Sequence, residues 1–348
     1  VADRVYQAMA QPIVGHLDPY FFEVSEGVRR GLQLVYGTTN EMTLAMSGTG
    51  SAGMETAVSN FVGAGSKLVV LAAGYFADRI SEMGRRHGAT VIRIEKAWGE
   101  PFDMQEVRDV IRRERPQTVA FVHAETSTGV LTDPKPVCEV AHEVGALVIA
   151  DCVTSLGALP VNVDANGIDI AYSCSQKGMS CPPGLSPFTA SARAMEVRQS
   201  RGATTVWYLD LNLLSEYFVS KRYHHTAPIT SFYALLEGLA LVQEEGLEAR
   251  LARHVRAHHA LVAALEARGY QMHVAAGHRI PNLNTVRVPQ GVNDLAVRQK
   301  LLAEHGIEIA GGFGPLAGKI FRIGLMGPLA SEESAASFVD AFDRACRG

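Results

Sequence analysis

The chain has 348 residues, 47% hydrophobic and 20% charged, which suits a folded protein with more than one core. A formal net charge of −4 gives no electrostatic basis for binding nucleic acid or an anionic membrane, and no apolar run approaches the ~20 residues needed to cross a bilayer. The opening VADRVYQAMAQP is charged and lacks a secretory apolar core, and the five cysteines fall in no CxxC or His-rich spacing, so a reducing, cytoplasmic setting and no metal site are expected.

Short apolar runs of strand type alternate with amphipathic helical segments along most of the chain. TLAM leads into Gly48-Thr49-Gly50-Ser51-Ala52-Gly53 and the helical METAVSNFV. The runs KLVVLAA, ATVIRIE, TVAFVHAE, ALVIAD and IDIAYSCS follow, with FDMQEVRDVIRRE and PKPVCEVAHEVG as helices between them. Strands apolar almost throughout are those covered by helices on both faces. The alternation therefore predicts an α/β fold, doubly wound around a mostly parallel sheet. After about residue 240 the texture changes. One long helical stretch, LALVQEEGLEARLARHVRAHHALVAALEARG, precedes strand-like NLNTVRVP, helical NDLAVRQKLLAEHG, strands IEIAGGF and KIFRIGL, and a last helix from near Ser331. This predicts a large domain over 1–244 and a small α+β domain over 245–348.

The segment Gly48–Gly53 fits G-x-G-x-x-G between a strand and a helix, the fingerprint of a dinucleotide site. That reading needs a carboxylate at the end of the next strand to hold the ribose, and Leu71-Ala72-Ala73-Gly74 has none. What the loop retains is a helix start able to take a phosphate on free N–H groups, helped by the Thr49 and Ser51 hydroxyls. On the loop alone, a helix start without a ligand is the alternative.

Two further strand ends carry charge. ALVIA ends in Asp151, and IDIAYSCS runs into Gln176-Lys177-Gly178. In an open α/β sheet ligands gather at the carboxyl ends of strands, so an acid and an amine meet there. Pyridoxal 5′-phosphate (PLP) needs such a pair: a carboxylate to keep the pyridine nitrogen protonated, and a lysine to form the Schiff base and carry the α-proton. The bland alternative is a solvated surface lysine and a strand-end cap.

HAETSTGVL, ADCVTSLGALPVNVDANGIDIAYSCSQKGMSCPPG, YHHTAPI and KIFRIGLMG, in this order, resemble the class V PLP-dependent aminotransferases, most closely the alanine–glyoxylate and serine–glyoxylate subgroup. The resemblance implies a fold-type I PLP transferase, a homodimer with shared active sites, in which an amino group passes from alanine or serine to glyoxylate by ping-pong chemistry. It implies Lys177 as the Schiff-base lysine and Asp151 as partner of the pyridine nitrogen. Thr49, Gly50 and Ser51, with Gln176, would bind the phosphate; Thr126 would lie near the phenolic oxygen, and Val153 and Phe76 against the ring. Tyr223 and Thr226 would reach the other subunit's phosphate, and Arg322 would clamp the substrate carboxylate. Phe76 stands where the subgroup often has tryptophan, and Ser51 where it often has histidine. The family's Gly/Pro-rich segment beside the substrate does not precede Val1 in this sequence.

Alternatives within the resemblance are (S)-ureidoglycine–glyoxylate transamination, then 2-aminoethylphosphonate transamination and cysteine desulfuration. The last needs a nucleophilic cysteine over the site, and none occurs between Cys181 and Cys346. His123, His224 and His225 read as hydrogen-bonded structural residues. His254, His258 and His259, on a basic helical stretch without HExxH, read as a solvated face.

Overall fold

The computed structural model describes residues 1–347. Its strands, in chain order, are β1 (Met42–Ser47), β2 (Lys67–Ala72), β3 (Thr90–Glu95), β4 (Thr118–Val122), the two-residue strands β5 (Ala124–Glu125) and β6 (Val130–Leu131), β7 (Leu147–Asp151), β8 (Ile170–Tyr172) and β9 (Leu185–Ala190). Seven form one sheet in the order β1-β9-β8-β7-β4-β2-β3, while β5 and β6 make a separate ribbon. The ladders among β3, β2, β4, β7 and β8 are parallel. Those of β9 with β1 and with β8 are antiparallel.

Alternate residues of the central strands enter separate cores. Val69, Leu71, Phe121 and Val148 join one, and Leu68, Val70, Ala120 and Ile149 the other. That alternation within all-apolar runs is what helices on both faces require, since successive side chains leave opposite sides of a pleated sheet. The sequence runs named above all appear as strands. β9 was not among them, because LSPFTA mixes hydroxyls with Pro187 and reads as loop. The Pro187 carbonyl accepts from the Ser173 N–H at 2.8 Å and from the buried Tyr36 hydroxyl at 3.0 Å.

The long helical stretch is two helices, Ile229–Glu245 and Leu247–Ala267, parted at Gly246, whose φ of +80° interrupts the α-helix. Beyond them β10 (Leu283–Arg287), β11 (Ala310–Gly311) and β12 (Ile320–Gly324) form an antiparallel sheet in the order β10-β12-β11. Leu261, Phe321, Val339 and Phe342 build its own core with helices Leu247–Ala267 and Glu332–Arg347. The large mixed-sheet α/β unit and smaller C-terminal α+β unit are the architecture of a fold-type I PLP transferase.

The histidine reading needs correction. His254 and His258 are buried, and only His259 faces outward. His254 Nδ1 lies 2.8 Å from the Arg250 carbonyl and its Nε2 accepts from the Gly327 N–H at 3.2 Å, while His258 Nδ1 lies 2.6 Å from Asn284 Oδ1. Burial pushes the His254 imidazole down to about 4, so it sits neutral within the C-terminal unit. No helix among the described residues is long and apolar enough to cross a membrane.

Candidate active site

The carboxyl ends of the parallel strands open on a pocket at the point where the strand order reverses. It is lined by Thr49, Gly50, Ser51 and Phe76 from the first two strand–helix turns, and by Thr126, Asp151, Val153, Gln176 and Lys177 from the later ones. Parallel pairing of Asp151 with Tyr172 aligns the ends of β7 and β8, so the loop after β8 carries Lys177 to the same pocket as Asp151.

Asp151 is 3% exposed. Its Oδ1 accepts from the Val153 N–H at 2.9 Å and its Oδ2 from the Tyr172 hydroxyl at 2.8 Å. Burial pushes the carboxyl up to about 7, against the downward pull of those two donors. Tyr172 is buried, and its own pKa is driven well above the ordinary range, so its hydroxyl remains the donor. His123 at the end of β4 is also buried, 2.9 Å from Ser155 Oγ, and burial drives it down to about 4. It is a neutral, hydrogen-bonded residue.

The helix Gly50–Phe61 begins at the pocket with Thr49 as N-cap, and the Thr49 side chain makes no capping bond. Its hydroxyl and the N–H groups of Gly50 and Ser51 are thus available to an anion, while the Ala52 N–H donates to the Thr49 carbonyl at 2.8 Å. A Cβ on Gly50 would lie 2.8 Å from Val153 Cγ2, and one on Gly53 would lie 2.3 Å from Ser186 Oγ. The glycines of the motif therefore allow close approach at the pocket and tight seating of the helix on the sheet.

Phe76 is oriented from behind. Glu125, on the β5–β6 ribbon, accepts from the Phe76 and Ala77 N–H groups at 3.2 and 3.3 Å, capping helix Tyr75–Arg86 with a side chain from outside it. Its other oxygen accepts from the Ser127 hydroxyl at 2.6 Å. Gly74 is required here, since a Cβ would stand 2.4 Å from the Glu125 carboxyl carbon. Arg79, one turn on, lies over the Tyr75 and Phe76 rings at 4.9 and 5.6 Å, with Nη1 3.5 Å from Ser51 Oγ.

Arg322, on β12, does not line the pocket but borders it. Nη1 donates to the Thr126 carbonyl at 3.3 Å and Nε to the Gly311 carbonyl at 2.6 Å. Its guanidinium lies over the Phe313 ring at 4.0 Å. Tyr223 and Thr226 are exposed and lie outside this pocket, Tyr223 being 62% exposed. Sequence reasoning missed Tyr172, Glu125 and Phe313. Tyr172 has a readable signal, a polar residue ending an apolar run.

The C-terminal unit meets the pocket loops through their main chain. Besides the Arg322 bond, Asn282 Nδ2 donates to the Thr154 carbonyl at 2.8 Å and Thr285 Oγ1 to the Thr128 carbonyl at 3.1 Å. Arg250 donates to the carbonyls of Gly157 and Gly178 at 2.9 and 2.7 Å.

A family model described as Aminotransferase class-V matches residues 4–320. The chain is 36% identical to an alanine–glyoxylate aminotransferase of Rattus norvegicus, over 99% of this chain and 85% of that one. It is also 36% identical to an (S)-ureidoglycine–glyoxylate transaminase of Bacillus subtilis, over 94% of this chain and 83% of that one. Among solved structures, an alanine–glyoxylate aminotransferase from Nostoc sp. superposes with a TM-score of 0.97 at 45% identity, covering 99% of this chain and 92% of that one.

Proposed function

The chain belongs to the class V aminotransferases, which are PLP-dependent, and from that membership we propose that it transfers an amino group from alanine or serine to glyoxylate. The observation that carries the reading is the convergence of Asp151, Lys177 and the start of helix Gly50–Phe61 on one pocket, with the guanidinium of Arg322 at its border.

The residues present fit PLP. A buried carboxyl poised near 7 gains by pairing with a protonated ring nitrogen. The first turn of a 12-residue helix suits a phosphate, and the side-chain amide of Gln176, which lines the same pocket, can donate to it through Nε2. Phe76 and Val153 offer apolar surfaces to the ring.

PLP, when bound, supplies an electrophilic carbon that condenses with amines and a conjugated ring that accepts electrons from the substrate's α-carbon. The protein's part is placement and proton transfer. Among the described residues Lys177 is the only amine lining the pocket; its Nζ would hold the cofactor and, when free, would carry the donor's α-proton. Asp151, fixed through the Val153 N–H and Tyr172 O–H, would pair its charge with the protonated ring nitrogen. Arg322 meets the substrate carboxylate with a guanidinium held in plane by Gly311, Thr126 and Phe313, which fixes the α-carbon as well as binding it. Thr49, Gly50, Ser51 and Gln176 would anchor the phosphate, and Thr126 would adjoin the ring.

The same reading includes a cytoplasmic homodimer, with the large domain over 1–244 and the small one over 245–348. Five free cysteines support the reducing setting, and exposed Tyr223 and Thr226 are available to a second copy's phosphate site. Transamination of (S)-ureidoglycine is the second reading, favoured by a relative of that name at the same 36% identity. A steady-state screen of alanine, serine, (S)-ureidoglycine and 2-aminoethylphosphonate against glyoxylate and pyruvate tests it. Alanine or serine with glyoxylate should give the highest kcat/KM, and a clear preference for another donor refutes the assignment.

A further inference from the structure

We propose that Arg250 is a positioning residue for Lys177: from the C-terminal unit it grips the main chain that carries both the lysine and Asp151. The inference rests on the reading of Lys177 as the reacting amine. Arg250 lies on helix Leu247–Ala267 and is only 5% exposed. Its Nε donates to the carbonyl of Gly157 at 2.9 Å, in the loop that leaves Asp151. Its Nη2 donates at 2.7 Å to the carbonyl of Gly178, the residue directly after Lys177, and lies 3.4 Å from Ser180 Oγ. The third nitrogen, Nη1, pairs with Glu245 Oε2 at 2.9 Å, and Glu245 is held in turn by Arg253 Nε at 2.7 Å.

One rigid, planar fork therefore sets the spacing between the acid-bearing and lysine-bearing segments, which a flexible ammonium could not do. Burial of a guanidinium is costly, and burial pulls the Arg250 pKa down even with Glu245 opposing. A residue needed only to fill this space would be apolar. The turn it grips is closed by the Ser180 N–H on the Lys177 carbonyl at 2.9 Å and the Cys181 N–H on the Ser175 carbonyl at 3.0 Å, with Ser180 at φ +58°, and Arg250 ties it to the C-terminal unit. Releasing the Gly178 carbonyl frees the residue next to Lys177 and loosens the direction of the lysine side chain. Orientation of the proton-transferring amine should then suffer while substrate binding persists.

The test compares two forms of the cofactor. PLP bonds to Lys177, whereas pyridoxamine 5′-phosphate fills the same pocket without that bond. In Arg250→Met, affinity for PLP should fall about tenfold or more while affinity for pyridoxamine 5′-phosphate stays within about twofold, the loss being that of buried charged hydrogen bonds. In the loaded enzyme kcat should fall about ten- to a hundredfold with KM for the donor nearly constant. The pH midpoint of the lysine-bound cofactor's absorbance should move. Arg250→Lys should recover little, and free guanidinium ion should partly restore Arg250→Ala. Glu245→Gln, which weakens the anchor but keeps the fork, should shift the same ratio of affinities less, and it decides the matter if the Arg250 variants do not fold. Equal losses for both cofactor forms with an unmoved absorbance midpoint, or an unchanged ratio in Glu245→Gln, overturn the proposal. Borohydride reduction of the unaltered enzyme tests the underlying reading separately, since an adduct on another lysine removes Lys177 itself.

Discussion

Replacing Asp151 by asparagine should stabilise the PLP-free protein and disable the enzyme. The carboxyl is 3% exposed and its pKa rises from an ordinary 3.8 to about 7 through burial. For an acid raised in this way, the folded state holds the extra proton between the two values, so stability is lost as pH rises through that window and levels off above about 7. The slope is about 1.4 kcal/mol per pH unit, so the penalty is about 4 kcal/mol at pH 8, of which about 3 kcal/mol accrues above pH 5. Asparagine has no charge to bury and retains an oxygen for the Val153 N–H or the Tyr172 hydroxyl. Urea unfolding of both PLP-free proteins from pH 5 to 8.5 should show the advantage of Asp151→Asn growing by a few kcal/mol and flattening near neutrality. The buried histidines, common to both proteins, cancel in the difference. The loaded variant should bind PLP more weakly and lose turnover, because an amide cannot hold the ring nitrogen protonated. A stability difference that does not vary with pH would refute the idea that Asp151 is a buried acid awaiting a cation.

The other expectations concern the remaining roles. Borohydride reduction followed by peptide mapping should find PLP fixed to Lys177, and Lys177→Ala should retain cofactor while turnover collapses. Arg322→Ala should lower kcat/KM at least about a hundredfold for both donor and glyoxylate, as loss of one partner of a desolvated charge pair does, while PLP binding changes little. Arg322→Lys should recover only part, which steady-state kinetics will read. Removing the hydroxyls with Tyr223→Phe and Thr226→Val together should weaken cofactor retention without unfolding the subunit, and sedimentation of a fully active monomer would contradict the shared site.

The sheet was legible because its strands announce themselves twice, as apolar runs and as runs that end in turn residues. Asp151 and Lys177 stood out as charges where such runs stop. β9 escaped because its buried residues include Ser186, Pro187 and Thr189, whose polar groups are satisfied by neighbouring strands and helices that no local window contains. Gly246 was readable as a breaker but was passed over inside a long helical pattern. The histidines failed for a different reason. Counting basic residues hid the spacing of His254, Ala257, His258, Leu261 and Leu265, which share one helix face and are all buried. Glu125 could not be weighed from sequence, since its meaning lies in the helix start it caps 49 residues away.

The grip of the C-terminal unit on the pocket loops has a consequence for how such an enzyme can change over generations. At Thr126, Thr128, Thr154, Gly157 and Gly178 the C-terminal side chains bond carbonyl oxygens, which every amino acid possesses. At the three threonines the recognition is carried by one side of the junction alone. Thr126 and Thr154 line the pocket, so their side chains can mutate toward a new donor without disturbing the bonds that hold their loops. Drift at Thr126, Thr128 and Thr154 is buffered, whereas drift at Arg250, Asn282, Thr285 and Arg322, and at Gly157 and Gly178, which have no room for a Cβ, is not. A lineage built this way can explore new substrates through its loops while the frame that aims them is inherited intact.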